Sequence, residues 1–334
     1  MPNTPLLEIN NLKKYFPVKK KSLFSPKQYL MAVDGVDLYV KPGETLGIVG
    51  ESGCGKSTLA KTIARLYDTT GGQIIFDEKD ISQMSQKRLR PLRTDIQFVF
   101  QDPYESLNPR HTITTILEEP FLIHTSLTSQ ERKNEVIKLL QRVGLPADSL
   151  KKYPSEFSGG QRQRIGIARA IALKPKLLIC DEPVSALDVS VQSQIINLLM
   201  ELQKELNIAI LFIAHDLAVV KHISDRIAVM YLGKIVETAT SESLFESPQH
   251  PYTQFLLDAI PNPNPNINRS KRRIQGELPS PITPPPGCRF QTRCPMAAKI
   301  CKESEPALDN AELEQHKAAC HFKKEAAQEW ESPW

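Results

Sequence analysis

Long apolar runs are missing from this 334-residue chain, and with them most signs of a membrane or secretory protein. One of the longest, Ile208 to Ala214, stops at His215 and Asp216, far short of the ~20 apolar residues that a spanning helix needs. The start, Met1 to Asn11, lacks a basic stretch followed by an apolar one and a small-residue cleavage site. The expectation is therefore a cytoplasmic protein that does not cross a bilayer by itself. Charge of one sign is also scarce. Lys and Arg number 42 against 38 Asp and Glu, a net +4 with no long basic run, so nucleic acid is not an expected partner. No repeat of ~20–50 residues and no low-complexity composition is evident. Cysteine is nearly absent until the end: Cys54 and Cys180 stand alone, whereas Cys288, Cys294, Cys301 and Cys320 crowd the C-terminal region.

What is present suits an ordinary globular protein: 40% hydrophobic residues, 24% charged residues and 15 glycines can bury a sizeable core. At roughly 150 residues per domain, the length suggests about two domains. Thr45 to Val49 reads as a buried strand, and Leu59, Ile63 and Leu66 recur at helical spacing just after Lys56 and Ser57. Asp95 to Phe100, Leu177 to Ile179 and Ile208 to Ala214 read as further strands. Val136, Leu139, Leu140 and Val143 form a helical stripe closed by Gly144, and Val191 to Leu206 forms another. Such alternation predicts an α/β fold with a mostly parallel sheet covered by helices. Eight prolines between Pro261 and Pro286 predict an extended linker over 261–286.

Gly50-Glu51-Ser52-Gly53-Cys54-Gly55-Lys56-Ser57 fits the phosphate-loop pattern G-x-x-x-x-G-K-S/T in full, between a strand and a helix, with Thr58 following inside the helix. Glycines let backbone N–H groups turn toward a polyphosphate, Lys56 adds a point charge, and the Ser57 hydroxyl can ligate Mg²⁺. The expected substrate is a nucleoside triphosphate. Asp181 and Glu182 close a strand, where the first can hold the metal's water shell and the second can polarise an attacking water. Ser158-Gly159-Gly160-Gln161 offers a second glycine-rich, phosphate-facing surface at a helix start.

Taken in order, these motifs, with Gln101 in Val-Phe-Gln-Asp-Pro, Ser185-Ala186-Leu187-Asp188 and His215, resemble the motif set of ABC-type ATPases over about residues 5–260. The continuation, His250-Pro251-Tyr252-Thr253, then Gly276 to Pro281 and four spaced cysteines, is similar to ATPases of dipeptide and oligopeptide importers, most like the F-type dipeptide subunits. The resemblance implies an ABC ATPase domain over 1–260 with a helical subdomain near 102–170 that binds two membrane-spanning permease subunits. It also implies a second, homologous ATPase subunit in a head-to-tail heterodimer that sandwiches ATP, an extracytoplasmic peptide-binding protein, and a peripheral place on the cytoplasmic face of the inner membrane. Gln101 would sense Mg²⁺, His215 would contact the γ-phosphate, Asp188 would lie at the subunit interface, and Phe16 would stack on adenine. Other small cargo, including haem or glutathione, fits the same ATPase role; a soluble ABC-type ATPase acting outside transport is the rival reading.

The spacing Cys288-x5-Cys294-x6-Cys301-x18-Cys320 lacks the two close pairs usual for zinc, and a cytosolic location disfavours disulfides. An iron-sulfur cluster, zinc and unligated thiols are the alternatives on ligand chemistry. The resemblance implies a 4Fe-4S cluster on these four positions, in a small module over 287–325 that a bound metal would hold together.

Overall fold

Short β-branched runs become strands and longer stripes at helical spacing become helices, and a computed structural model describes them over residues 4–19, 26–260, 276–310, 316–328 and 330. The chain divides into two compact units. The first comprises Met1–Leu6, Val40–Glu44 and Met84–Ile213; the second comprises Leu7–Tyr39, Thr45–Gln83 and Ala214–Trp334.

In the first unit, strands Ile96–Val99, Leu177–Asp181 and Ala209–Ile213 lie side by side and parallel. Every residue of the last two is buried, as expected of parallel strands covered on both faces. Helices Ile113–His124, Ser129–Arg142, Gly159–Ile171 and Val189–Leu206 accompany them. Ser129–Arg142 starts at a capping box between Thr128 and Glu131 and buries Val136, Leu139 and Leu140, the predicted stripe. Asn207, left-handed at φ 53°, closes Val189–Leu206.

The second unit holds the strand Thr45–Val49 parallel to Arg226–Tyr231, with Lys234–Thr240 antiparallel beyond it. Two tail strands extend that edge: Lys317–Ala318 pairs with Lys234–Thr240, and Asp309–Asn310 pairs with Lys317–Ala318. A four-stranded sheet, in the order Tyr29–Val40, Leu7–Pro17, Gly71–Phe76 and Lys79–Asp80, completes the unit.

The α/β class holds, while the mostly parallel sheet is corrected to mixed sheets. The antiparallel strands Leu7–Pro17, Tyr29–Val40 and Gly71–Phe76 mix buried with half-buried positions, a weak signal beside the continuous apolar parallel strands. The stripe Leu59, Ile63 and Leu66 also ends early: the helix runs Lys56–Ile63, Arg65 is left-handed, and Leu66 is exposed. Of the expected linker, 261–275 lie outside the described residues. Its remainder carries no helix or strand and docks, with the Met31 N–H donating to the Pro281 carbonyl at 3.0 Å. Among the described residues no helix is long and apolar enough to cross a membrane.

Candidate functional site

The phosphate loop lies in the second unit, between the buried strand Thr45–Val49 and the helix Lys56–Ile63. Its curl depends on glycine. Gly50 and Gly55 have φ of 156° and 110°, and a Cβ there would stand 2.1 Å from the Met230 carbonyl oxygen and 2.0 Å from that of Ala32. Lys56, 4% exposed, donates its ammonium to the carbonyls of Gly50 at 2.7 Å and Glu51 at 3.1 Å. The cation is thereby held over the loop at a helix start, where backbone N–H groups favour anions. Burial pushes the Cys54 thiol up, so at neutral pH it is an uncharged, tightly packed member of the loop. Lys56 opens the helix, and Ser57 and Thr58 follow in its first turn.

Glu51 is held from outside the loop as well. Its N–H donates to the Tyr252 hydroxyl at 2.8 Å, and the Arg293 guanidinium grips its carboxylate in a fork at 2.6 and 2.9 Å. The fork holds the Arg293 pKa above its ordinary value. Neither Tyr252 nor Arg293 carries a role in the sequence reading. Tyr252 belongs to His250-Pro251-Tyr252-Thr253, a recognisable signal, but nothing in the spacing marks Arg293.

His215, in the same unit, follows Ala214, whose N–H donates to the Ile48 carbonyl at 3.1 Å; this brings His215 to the strand that feeds the phosphate loop. Phe16 lies half-buried on Leu7–Pro17, edge-on to Tyr67 at 5.6 Å with the Lys14 ammonium 4.9 Å from its ring centre. Tyr15 beside it is committed elsewhere, its hydroxyl bonded to Asp34; burial, then that carboxylate, pushes its pKa up to about 12. The Tyr15 hydroxyl is thus engaged by Asp34, while the Phe16 ring meets Tyr67 and Lys14.

The first unit carries the remaining candidates. Asp181 is buried at the end of Leu177–Asp181. Glu182 takes a left-handed φ of 47°, a costly conformation for a non-glycine residue, and its N–H donates to the Ile213 carbonyl at 3.0 Å. Gln101 comes to it through 81 residues of sequence, its amide donating to the Glu182 carboxylate at 3.2 Å. Ser158 caps Gly159–Ile171 and exchanges hydrogen bonds with Gln161, the serine N–H to the glutamine amide at 3.0 Å and the glutamine N–H to the serine hydroxyl at 3.3 Å. Gly160 is required by packing, since a Cβ would come 2.4 Å from a Val191 methyl. Asp188 is exposed at the start of Val189–Leu206.

In the tail, the Cys288 N–H donates to the Cys301 carbonyl at 2.8 Å. Burial pushes the Cys294 and Cys320 thiols up to about 11 and about 12, with smaller contributions from the neighbouring cysteines. Among the described residues no group of three or more His, Cys, Asp or Glu converges closely enough to hold a metal ion. The expectation of a closed ligand set is not met in this geometry.

Comparison with known proteins agrees with the motif order. The ABC transporter family matches residues 33–185, and the oligopeptide/dipeptide transporter C-terminal region matches residues 236–301. The oligopeptide transport ATP-binding protein AppF of Bacillus subtilis is 54% identical over 95% of this chain and 97% of its own length. OppF of Salmonella typhimurium is 52% identical over 92% and 93%, and the dipeptide transport ATP-binding protein DppF of Haemophilus influenzae is 49% identical over 92% and 94%. Among solved structures, the dimeric ATP-binding cassette MJ0796, bound to ADP and Pi after hydrolysis, superposes with a TM-score of 0.63 at 28% identity, covering 70% of this chain and 98% of that one. CbiO1 of Clostridium perfringens gives 0.62 at 31% identity, covering 72% and 90%. With identity above one half across nearly its whole length, this chain belongs to the ABC transporter family, among the ATP-binding proteins of oligopeptide and dipeptide transport.

Proposed function

We propose that this chain hydrolyses ATP to power import of dipeptides or oligopeptides as the peripheral subunit of a multi-subunit transporter at the cytoplasmic face of the cell membrane. The observation that carries the reading is the glycine-shaped loop Gly50 to Ser57, with the Lys56 ammonium held over it at a helix start. Lys56 and the loop amides would bind the phosphates, and Phe16 would stack on adenine. Ser57 and Gln101 would hold Mg²⁺ directly and Asp181 its water shell; the ion supplies charge neutralisation to the phosphates. Glu182 would accept the proton of the attacking water, and its bond from Gln101 supports a carboxylate already oriented for that work. His215 would contact the γ-phosphate. Ser158, Gly159, Gly160 and Gln161 would complete the site of a second, homologous ATPase subunit, with Asp188 at the contact.

In this arrangement ATP binds the closed pair better than the open one, and only that difference in affinity can drive the two permease subunits between states. The region near 102–170 would face the permeases, within a cassette spanning 1–260. Peptide is captured outside by a binding protein and never touched here. The tail over 287–325 would form a small module in which Cys288, Cys294, Cys301 and Cys320 hold a 4Fe-4S cluster. The chemistry of four thiol donors is the support for that cluster over zinc.

In the assembled transporter, Glu182→Gln is expected to lower steady-state hydrolysis by about a hundredfold or more while ATP still binds, and Lys56→Ala to abolish both binding and peptide uptake. Uptake that survives Lys56→Ala would overturn the reading. Anaerobic purification with an absorption spectrum tests the cluster: a broad iron-sulfur band supports it, and stoichiometric zinc without that band refutes it.

A further inference from the structure

Glu51, the second residue of the phosphate loop, puts a carboxylate where a polyanion is expected to bind, an unfavourable charge for the site. Each of its polar groups is nevertheless engaged. Its carbonyl accepts from Lys56, its N–H donates to the buried Tyr252 hydroxyl, and its carboxylate takes both arms of the Arg293 guanidinium. Arg293 comes from the cysteine-bearing tail, 242 residues away in sequence and adjacent to Cys294. It is fixed in turn: the same guanidinium lies 3.4 Å from the Tyr231 hydroxyl, and Phe290, three residues earlier, is fully buried among Tyr231, Tyr252 and Phe255. A two-pronged, largely buried Arg–carboxylate pair fixes geometry as well as charge.

We propose that Arg293 is a positioning residue for nucleotide binding: the tail delivers its guanidinium to neutralise and orient Glu51, and this sets the affinity of the phosphate loop for a nucleoside triphosphate. The inference rests on the ATPase reading above. It makes the tail a working part of the ATP site, one whose displacement weakens ATP binding without touching the residues of hydrolysis.

The test is titration of the full chain with MgATP. Arg293→Met, which keeps the packing of the stem and removes the charge and the donors, is expected to weaken binding about tenfold, with a matching rise in KM and kcat within about twofold in the assembled transporter. Adding Glu51→Gln to that variant should recover most of the lost affinity, because the uncompensated carboxylate is then gone. Arg293→Lys, with the charge but no fork, should fall between the wild type and Arg293→Met. A tail that merely supports the fold would give a loss that Glu51→Gln does not relieve, and that outcome overturns the proposal. So does wild-type affinity in Arg293→Met while Lys56→Ala has lost binding. Should Lys56→Ala itself bind ATP normally, the ATPase reading falls instead.

Discussion

The phosphate loop and the cysteine-bearing tail share one compact unit but are held in different ways. The loop is shaped by what is missing: at Gly50 and Gly55 the neighbouring backbone comes so close that no side chain fits. The tail is placed by what reaches out from it. Phe290 fills an aromatic pocket, Arg289 bonds the Leu232 carbonyl and pairs with Asp34, and Arg293 grips Glu51, while among the described residues regular structure is confined to short pieces such as Lys299–Glu303 and Lys317–Ala318. Backbone shape tolerates no substitution at a few points. Placement by long side chains spreads over several contacts, each of which can be removed separately. The Asp34 carboxylate shows the consequence: burial alone would raise its pKa, but the Tyr15 hydroxyl and the Arg289 cation overcome burial and hold it below the usual range.

Three measurements would break or sharpen this contrast. The largest effect is expected from Phe290→Ala, which empties the aromatic pocket and should cost roughly 3–5 kcal/mol of tail stability. Limited proteolysis would read it as early cleavage beyond residue 276, with the loop's own residues still protected; equal protection in both proteins would mean that the tail does not depend on its anchor. Gly55→Ala should cost about 3 kcal/mol, since the new Cβ meets backbone rather than a movable side chain. Thermal unfolding measures the loss, and a midpoint unchanged from wild type would show that the loop can relax. The smallest effect at neutral pH concerns His250, which caps the helix Pro251–Asp258 by accepting the Tyr252 N–H on Nδ1 at 3.1 Å. Burial lowers its pKa to about 4, so the unfolded chain, titrating near the ordinary 6.5, takes up the proton first. Its contribution to stability is complete above about pH 6.5 and is lost as pH falls toward 4. His250→Asn, which keeps a capping acceptor, should flatten the fall in unfolding midpoint across that window. An unchanged slope would mean that another group dominates.

Much of the nucleotide site is legible in the chain because its chemistry is local. Gly50 to Thr58 are consecutive, and a strand before them and a helix after them follow from apolar patterning. The capping box from Ser158 to Gln161 spans four residues, and Asp181 ends an apolar strand with Glu182 next to it. The left-handed backbone of Glu182 and its bond from Gln101 are not legible, since both depend on strands that meet only after folding. The antiparallel strands and the two that the tail adds at a sheet edge were likewise hidden.

Buried His316 illustrates the limit. It bonds fully buried Glu237 at 2.7 Å, and that carboxylate also accepts the N–H groups of Gln249 and His250 at 2.6 and 3.0 Å. A buried carboxylate needs such partners, but no short motif tells where in the chain they will come from. The sequence by itself determined the phosphate chemistry, because backbone curl, a cation and a hydroxyl at fixed spacing suffice to bind a triphosphate. Only the tertiary structure decided that Arg293 and Tyr252 close around Glu51, because charge neutralisation acts over a few ångströms in space and leaves no trace of period or spacing along the chain.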